Sequence, residues 1–348
     1  REVLMSVYKL REKLFHGLVI PAHPLALTSA RTLDERRQRA LTRYYLDSGV
    51  GGLAVGVHTT QFEIHDPNYG LFRPVLELAM DEMKDWDVVK IAGVVGHTPN
   101  AGREAAFARG LGYDAVLVSP GAFYDDSEDD PLDHMRGIAA IITVFGCYLK
   151  PSVGDLVISS SFWRLFAEID NVVAVKIAPF NRYQTLDVVR GILDAGRARD
   201  IALYTGNDDT ILTDLLTEFQ FGRGESISIV GGLLGHWAVW THRVVLLMKE
   251  IQALRSTRSP IPPQMLTLAA QITDANAALF DPQHKFHGCI PGIHEILRRQ
   301  GLLLGRWCLN PHEELSPGQM DEIDRVCRAY PHLTDDDFVR ANLDKWLR

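Results

Sequence analysis

Positive charge is in short supply in this chain of 348 residues: 36 Lys and Arg stand against 44 Asp and Glu, the formal net charge is −8, and no basic stripe interleaved with aromatics occurs. Nucleic acid and anionic membrane are therefore poor partners. Cysteine is scarce as well, and Cys147, Cys289, Cys308 and Cys327 show no CxxC or other metal-ligand spacing. No apolar run is long enough to span a bilayer. The first residues, REVLMSVYKLREKLF, mix charged and apolar positions at helical spacing, which is not the charged-then-apolar order of a signal peptide. No GxGxxG follows the first strand-like run and no Walker A motif occurs, so nothing points to a dinucleotide or a nucleoside triphosphate. What these absences leave is a globular protein that acts on a small molecule, with the reducing cytoplasm as its expected location and no metal or other cofactor implied.

What is present is a large supply of core material, 46% hydrophobic residues, arranged in a repeating order. Apolar strand-like runs occur at 15–22, 51–58, 88–96, 115–120, 144–151, 172–179, 201–208 and 225–232. Helical patterns such as TLDERRQRALTRYYLDSG, RPVLELAMDEMKDW and TLDVVRGILDAGRA separate several of them, opening on Asp or Thr and closing near Gly as capped helices do. Uniformly apolar strands belong to a parallel sheet covered on both faces. Eight βα units in about 240 residues predict a closed (β/α)8 barrel, with an open doubly wound sheet as its structural rival. After the eighth unit only helical patterns remain. The expected organisation is a barrel over 1–260 carrying the catalytic site and a helical extension over 261–348 packed on it.

Active sites of such barrels lie at the C-terminal ends of the strands. The polar residues expected there are His23, His58, Thr59, Thr60, His97, Tyr148, Lys176, Asn207, Asp208, Asp209 and Ser228. Lys176 stands out, because it interrupts the apolar run NVVAVKIAP. An unpaired ammonium is costly to bury. Desolvation favours the neutral amine, which can attack a carbonyl and form a Schiff base. A lysine that snorkels outward or pairs with a buried carboxylate is the structural alternative.

Four motifs in order, GVGGLAVGVHTTQFE (49–63), CYLKPSVG (147–154), VVAVKI (172–177) and YTGNDD (204–209), resemble those of the dihydrodipicolinate synthase and N-acetylneuraminate lyase family of Schiff-base (β/α)8 enzymes. The spacing between Tyr148 and Lys176 agrees with that family too. The resemblance implies that Lys176 is the Schiff-base amine, Tyr148 a proton shuttle beside it, and Thr59 the holder of a 2-oxo acid carboxylate. Thr60, Asp208, Asp209 and Ser228 are the further substrate-binding candidates. It also implies a homodimer or homotetramer.

The departures are as informative. His58 stands where the family has its first threonine and is expected to modify the proton relay; Gln61 stands where it has glutamate. The loop 119–131 lacks the Pro-Tyr-Tyr of dihydrodipicolinate synthase, leaving Tyr124 as the sole stand-in, and Val153 replaces the arginine that grips that enzyme's second substrate. A valine makes no bidentate carboxylate contact. The expected activity is consequently not dihydrodipicolinate synthesis. It is aldol cleavage or condensation of a pyruvate type, or dehydration of a 2-oxo-3-deoxy sugar acid. Two other classes compete: a non-catalytic 2-oxo acid binder, and a metal-dependent barrel hydrolase using His23, His58 and His97 with Asp208.

Overall fold

Strand and helix alternate along the chain eight times before the helical C-terminal segment begins. The computed structural model of the chain describes residues 2–118, 130–149, 158–222 and 224–348. The strands are β1 (Val19–Pro21), β2 (Gly52–Val55), β3 (Val89–Gly93), β4 (Ala115–Val118), β5 (Val144–Leu149), β6 (Val172–Ala178), β7 (Ala202–Thr205), β8 (Glu218–Gln220) and β9 (Ser226–Leu234). All but β8 run parallel and make a nearly closed (β/α)8 barrel. Each of the eight falls within an apolar run read from the sequence or overlaps it closely. β8, which the sequence reading missed, is a short antiparallel partner of the start of β9.

Local chemistry explains the alternation. Every residue of β6 is buried, as a strand covered on both faces requires. The helix Glu35–Ser48 opens on Asp34, whose carboxylate accepts the Arg37 N–H at 3.1 Å, and closes on Gly49 at φ +88°, a left-handed turn that glycine adopts without strain. Asn181 and Ser159 cap the helices Arg182–Asp194 and Ser160–Ala167 in the same way.

The chain divides into two compact units. The first comprises Arg1–Leu18, Val89–Asn207 and Thr213–Leu233. Within it β3 to β7 pair in chain order and β7 pairs with β9, with Ala174 opposite Ala202 and Tyr204 opposite Gly231. The helix Glu2–Phe15 is fixed to the starts of these strands: Arg11 donates to the carbonyls of Asp170 and Val172, and the Tyr204 hydroxyl donates to the Leu14 carbonyl at 2.6 Å.

The second unit comprises Val19–Val88, Asp208–Leu212 and Leu234–Arg348. It holds β1 and β2, bridged in parallel at Ala22 and Ala54, and the whole helical C-terminal segment. Asp335 joins three parts of it. Its carboxylate accepts the Tyr44 hydroxyl at 2.7 Å, the His242 N–H at 3.0 Å and the Gln300 amide at 2.8 Å. Each bond is to an ionised or ionisable oxygen that is otherwise dry, so loss of one partner leaves a buried polar group unmet.

Glu295, on the helix Cys289–Arg299, is the centre of a second network with Arg298, Arg299 and Arg306 at 2.9, 2.7 and 3.1 Å. Burial alone raises this carboxyl, but the three arginine hydrogen bonds outweigh it and bring the pKa from 4.5 to about 2. A folded pKa below the unfolded one stabilises the fold above the unfolded value, and this contribution is lost as pH falls through about 2. Glu295→Gln is expected to lower stability at pH 7 by up to about 3 kcal/mol and to flatten the loss of stability between about pH 5 and pH 2. Urea unfolding of both proteins at neutral and acid pH measures this; parallel curves at all pH values would remove the linkage.

Candidate active site

Lys176 is the fifth residue of β6 and only 8% exposed. Its lateral neighbours in the sheet are Cys147 of β5 and Tyr204 of β7, and lateral neighbours in parallel strands point to the same face. Gly206, two residues beyond Tyr204, shares that face. A Cβ at Gly206 would stand 2.6 Å from the Lys176 Cε, 3.1 Å from its Cγ and 2.8 Å from the Ala178 Cβ. The absence of that one carbon is what lets the lysine side chain lie across β7. Below it, towards the strand starts, the rings of Phe145 and Tyr204 meet edge to face at 5.3 Å. The Cys147 thiol is pushed up to about 11 by burial, against the opposing pull of the Lys176 charge.

Tyr148 is not a lateral neighbour of Lys176; its register partner is Ile177. Successive strand residues alternate faces, so Tyr148 looks away from the face that carries Cys147, Lys176 and Gly206. Its ring packs 5.4 Å from that of Trp163, and its hydroxyl accepts the Ile158 N–H at 3.1 Å. Gly146 marks the same side, since a Cβ there would meet the Phe166 ring at 2.6 Å. Burial raises the Tyr148 phenol, the Asp187 charge adds to this, and the Ile158 N–H opposes both. The structure thus brings Cys147, not Tyr148, alongside the lysine, which corrects the expected adjacency for the reason of strand periodicity.

A second network closes the ends of β6 and β7. Asp214, fully buried, accepts from Thr205 at 2.6 Å, from Asn207 at 3.1 Å and from Arg182 at 2.5 Å. The Asn207 side chain also accepts the Phe180 N–H at 3.0 Å and donates to Thr185 at 3.2 Å. Asn207 was expected at the strand end, but Asp214, Thr185 and Arg182 were missed. They lie on the helices Arg182–Asp194 and Ile211–Leu216, where Asp, Thr and Arg commonly face solvent.

In the second unit, the turn after β2 is a short 3-10 helix, His58–Thr60. Thr60 is buried and its oxygen is fully committed: it accepts the Gly56 and Val57 N–H groups at 3.0 and 3.1 Å and donates to the His23 carbonyl at 2.7 Å. With no capacity left, Thr60 locks the turn and is withdrawn as a substrate ligand. Thr59, also buried, donates to the same carbonyl at 3.3 Å, and its methyl lies 3.5 Å from where a Gly235 Cβ would stand. His58 is exposed, with its ring 5.7 Å from that of Phe62. Asp208 is half-buried and Asp209 exposed; their backbone carbonyls are held by Asn276 and Thr273, each at 2.7 Å. This tie from the helix Pro263–Phe280 was not anticipated.

Ser228 is corrected by its place in the strand. It is the third residue of β9, opposite Glu218 of β8, and six residues, about 20 Å, before the C-terminal end at Leu234. The hydrolase alternative loses its first ligand. Both ring nitrogens of buried His23 are engaged, Nδ1 2.7 Å from the Pro24 carbonyl and Nε2 2.9 Å from the Thr42 hydroxyl, and burial lowers its pKa to about 4. Among the described residues no group of three or more His, Cys, Asp and Glu side chains is placed to hold a metal ion. Tyr124 and Val153 lie outside the described residues.

The model of the dihydrodipicolinate synthetase family matches residues 16–236. The chain belongs to that family. Among curated relatives, an N-acetylneuraminate lyase of Escherichia coli (strain SMS-3-5) is 26% identical over 205 residues, 58% of this chain and 66% of the relative, so the match spans just under two thirds of that protein. Solved structures show the same fold. An N-acetylneuraminate lyase from Fusobacterium nucleatum, complexed with pyruvate, aligns with TM-score 0.66 and 20% identity over 91% of this chain and 98% of its own. Dihydrodipicolinate synthase from Bacillus anthracis aligns with TM-score 0.70 and 19% identity over 90% and 98%. The stretch YTGNDD contains Gly206, whose missing side chain makes the slot for Lys176.

That slot is testable. Gly206→Ala forces either the Lys176 chain or Ala178 to move by several tenths of an ångström, and overpacking of this kind costs about 1–3 kcal/mol. We expect a folded variant whose Lys176 amine reacts with an amine-directed reagent at least about tenfold more slowly or faster than the parent. Equal labelling rates at Lys176, read by mass spectrometry of the digested proteins, would show that the slot does not hold the side chain.

Proposed function

We propose that this chain is a Schiff-base-forming lyase that acts on a 2-oxo acid through Lys176. The observation that carries the reading is the seat of Lys176: a lysine in a wholly buried strand, between Cys147 and Tyr204, over a glycine that leaves room for its side chain. A snorkelling lysine has no need of that slot. Family membership and relatives named as lyases support the same reading.

In this mechanism the Lys176 Nζ adds to the ketone carbon, and water leaves to give an iminium. In cleavage the C4 hydroxyl loses its proton, the C3–C4 electron pair passes to the iminium, an aldehyde leaves and the neutral enamine is reprotonated at C3. In dehydration a C3 proton is lost to give the enamine, which expels the protonated C4 hydroxyl as water. Hydrolysis of the remaining iminium frees the amine in both. Either bond fits, so the reaction is an aldol cleavage or its reverse, or the dehydration of a 2-oxo-3-deoxy sugar acid. Thr59 is assigned the substrate carboxylate, towards which its hydroxyl turns from the long 3.3 Å bond to the His23 carbonyl. No cofactor is required, since the covalent imine is the electron sink. Tyr148 is assigned the proton relay, a step in which its ring must leave the contact with Trp163. Asp208 and Asp209 are assigned the substrate hydroxyls and His58 a part in proton exchange with solvent. We further place the protein as a homodimer or homotetramer of the reducing cytoplasm, in keeping with the free thiols of all four cysteines.

One observation favours a second reading, a 2-oxo acid binder without turnover: the orientation of Tyr148 away from the lysine face. A single experiment separates the two. Borohydride reduction in the presence of pyruvate should leave an adduct on Lys176, absent from Lys176→Ala. Tyr148→Phe should retain the adduct while turnover of the matching substrate drops about 100-fold, the scale of a lost general acid or base. No adduct on folded protein would overturn the lyase reading; an adduct with no turnover of any aldol or deoxy sugar acid substrate would support the binder.

A further inference from the structure

Gln61 combines three features that a tether or a surface residue does not need. Its backbone sits at φ +69°, ψ 120°, a region that non-glycine residues adopt only under strain. Its side chain is fully buried. One end of its carboxamide is satisfied, because Oε1 accepts the Leu309 N–H at 2.6 Å, while Nε2 is buried with no hydrogen-bond partner among the described residues. A buried N–H donor left unmet costs about 1–3 kcal/mol. An acceptor-only side chain such as glutamate would serve the bond to Leu309 equally well.

The surrounding turn is short of donors. The Thr60 and Gln61 N–H groups are consumed by the Val57 and His58 carbonyls at 2.9 Å each, and the Thr60 hydroxyl donates to His23. An anion bound at this turn therefore gains little from them. A carboxamide N–H left unmet beside such a turn is a donor that an anion can use.

We propose that Gln61 is a ligand-positioning residue, its carboxamide N–H donating to the carboxylate of an acid bound at the turn 58–61. The inference rests on the assignment of Thr59 to the substrate carboxylate and does not depend on imine formation.

Two variants test it. Gln61→Glu keeps the acceptor for Leu309 and turns the donor into a negative charge; Gln61→Gly relieves the positive φ and removes the side chain. With pyruvate as probe, both should raise the half-saturating concentration for borohydride trapping at least tenfold. The adduct yield at saturation should stay at the parental value in both variants, a split that a merely structural role does not produce. Half-saturation within twofold of the parent in both variants would overturn the proposal. So would loss of the adduct at saturation together with the melting transition in Gln61→Gly, which would mark Gln61 as a folding residue. Should the parent chain trap no pyruvate at all, the Schiff-base reading fails by itself, and Gln61 is then judged on the Lys176→Ala chain by pyruvate line broadening in NMR. Broadening there that Gln61→Glu abolishes supports the proposal, and no broadening with Gln61 intact refutes it.

Discussion

A β-strand shows each of its faces only every second residue, and in this chain that rule decides what surrounds the single lysine in the buried strand β6. Lys176 shares its face with Ala174 and Ala178 along the strand and with Cys147 and Tyr204 across it. The same rule turns Tyr148 towards Trp163 and sets Gly206 under the lysine side chain. Had the register of β5 on β6 slipped by one residue, a phenol would stand beside the amine and a thiol would face the helices. The irregularity between Val144 and Phe145, two to three residues upstream, is where that register is set.

Positions held this closely need rigid neighbours. In the first unit the Asp214 network fixes the ends of β6 and β7 through three side-chain donors, and Tyr204 anchors the lower half of β7 to Leu14. These contacts lie on the far side of the strands from the lysine or beneath it, so they restrain the backbone without occupying the face that carries Lys176. The second unit follows the same principle with Thr60, whose oxygen is spent on the turn itself, and with Thr273 and Asn276, which hold the carbonyls of Asp208 and Asp209. The helical C-terminal segment is thereby a structural part of the strand-end loops in its own unit, and Gln61 reaches the same segment through Leu309.

Buried polarity is distributed unevenly between these roles. His23, Thr60 and Asp214 have their hydrogen-bonding capacity met within the protein, as most buried polar groups do. The Nε2 of Gln61 does not. A satisfied histidine at the end of a strand is the more common outcome of folding, and it removes His23 from any metal set; the unmet amide of Gln61 is the observation from which its role is proposed.

Reading the residues in order was enough for the class of fold and for singling out Lys176. Eight apolar runs separated by capped helices permit few architectures, and a lysine within one of them stands out against its surroundings. Motif order and the spacing of Tyr148 and Lys176 carried the family, which the match over 16–236 bears out. The neighbours of each side chain emerged only on folding. Face and register are relations between strands, so Cys147 beside Lys176, Tyr148 against Trp163 and Ser228 far down β9 follow from pairing that no single segment encodes. The capacity of Thr60 and the strain at Gln61 were equally hidden, because a hydroxyl is spent or spare, and an amide met or unmet, only once the chain has closed around it.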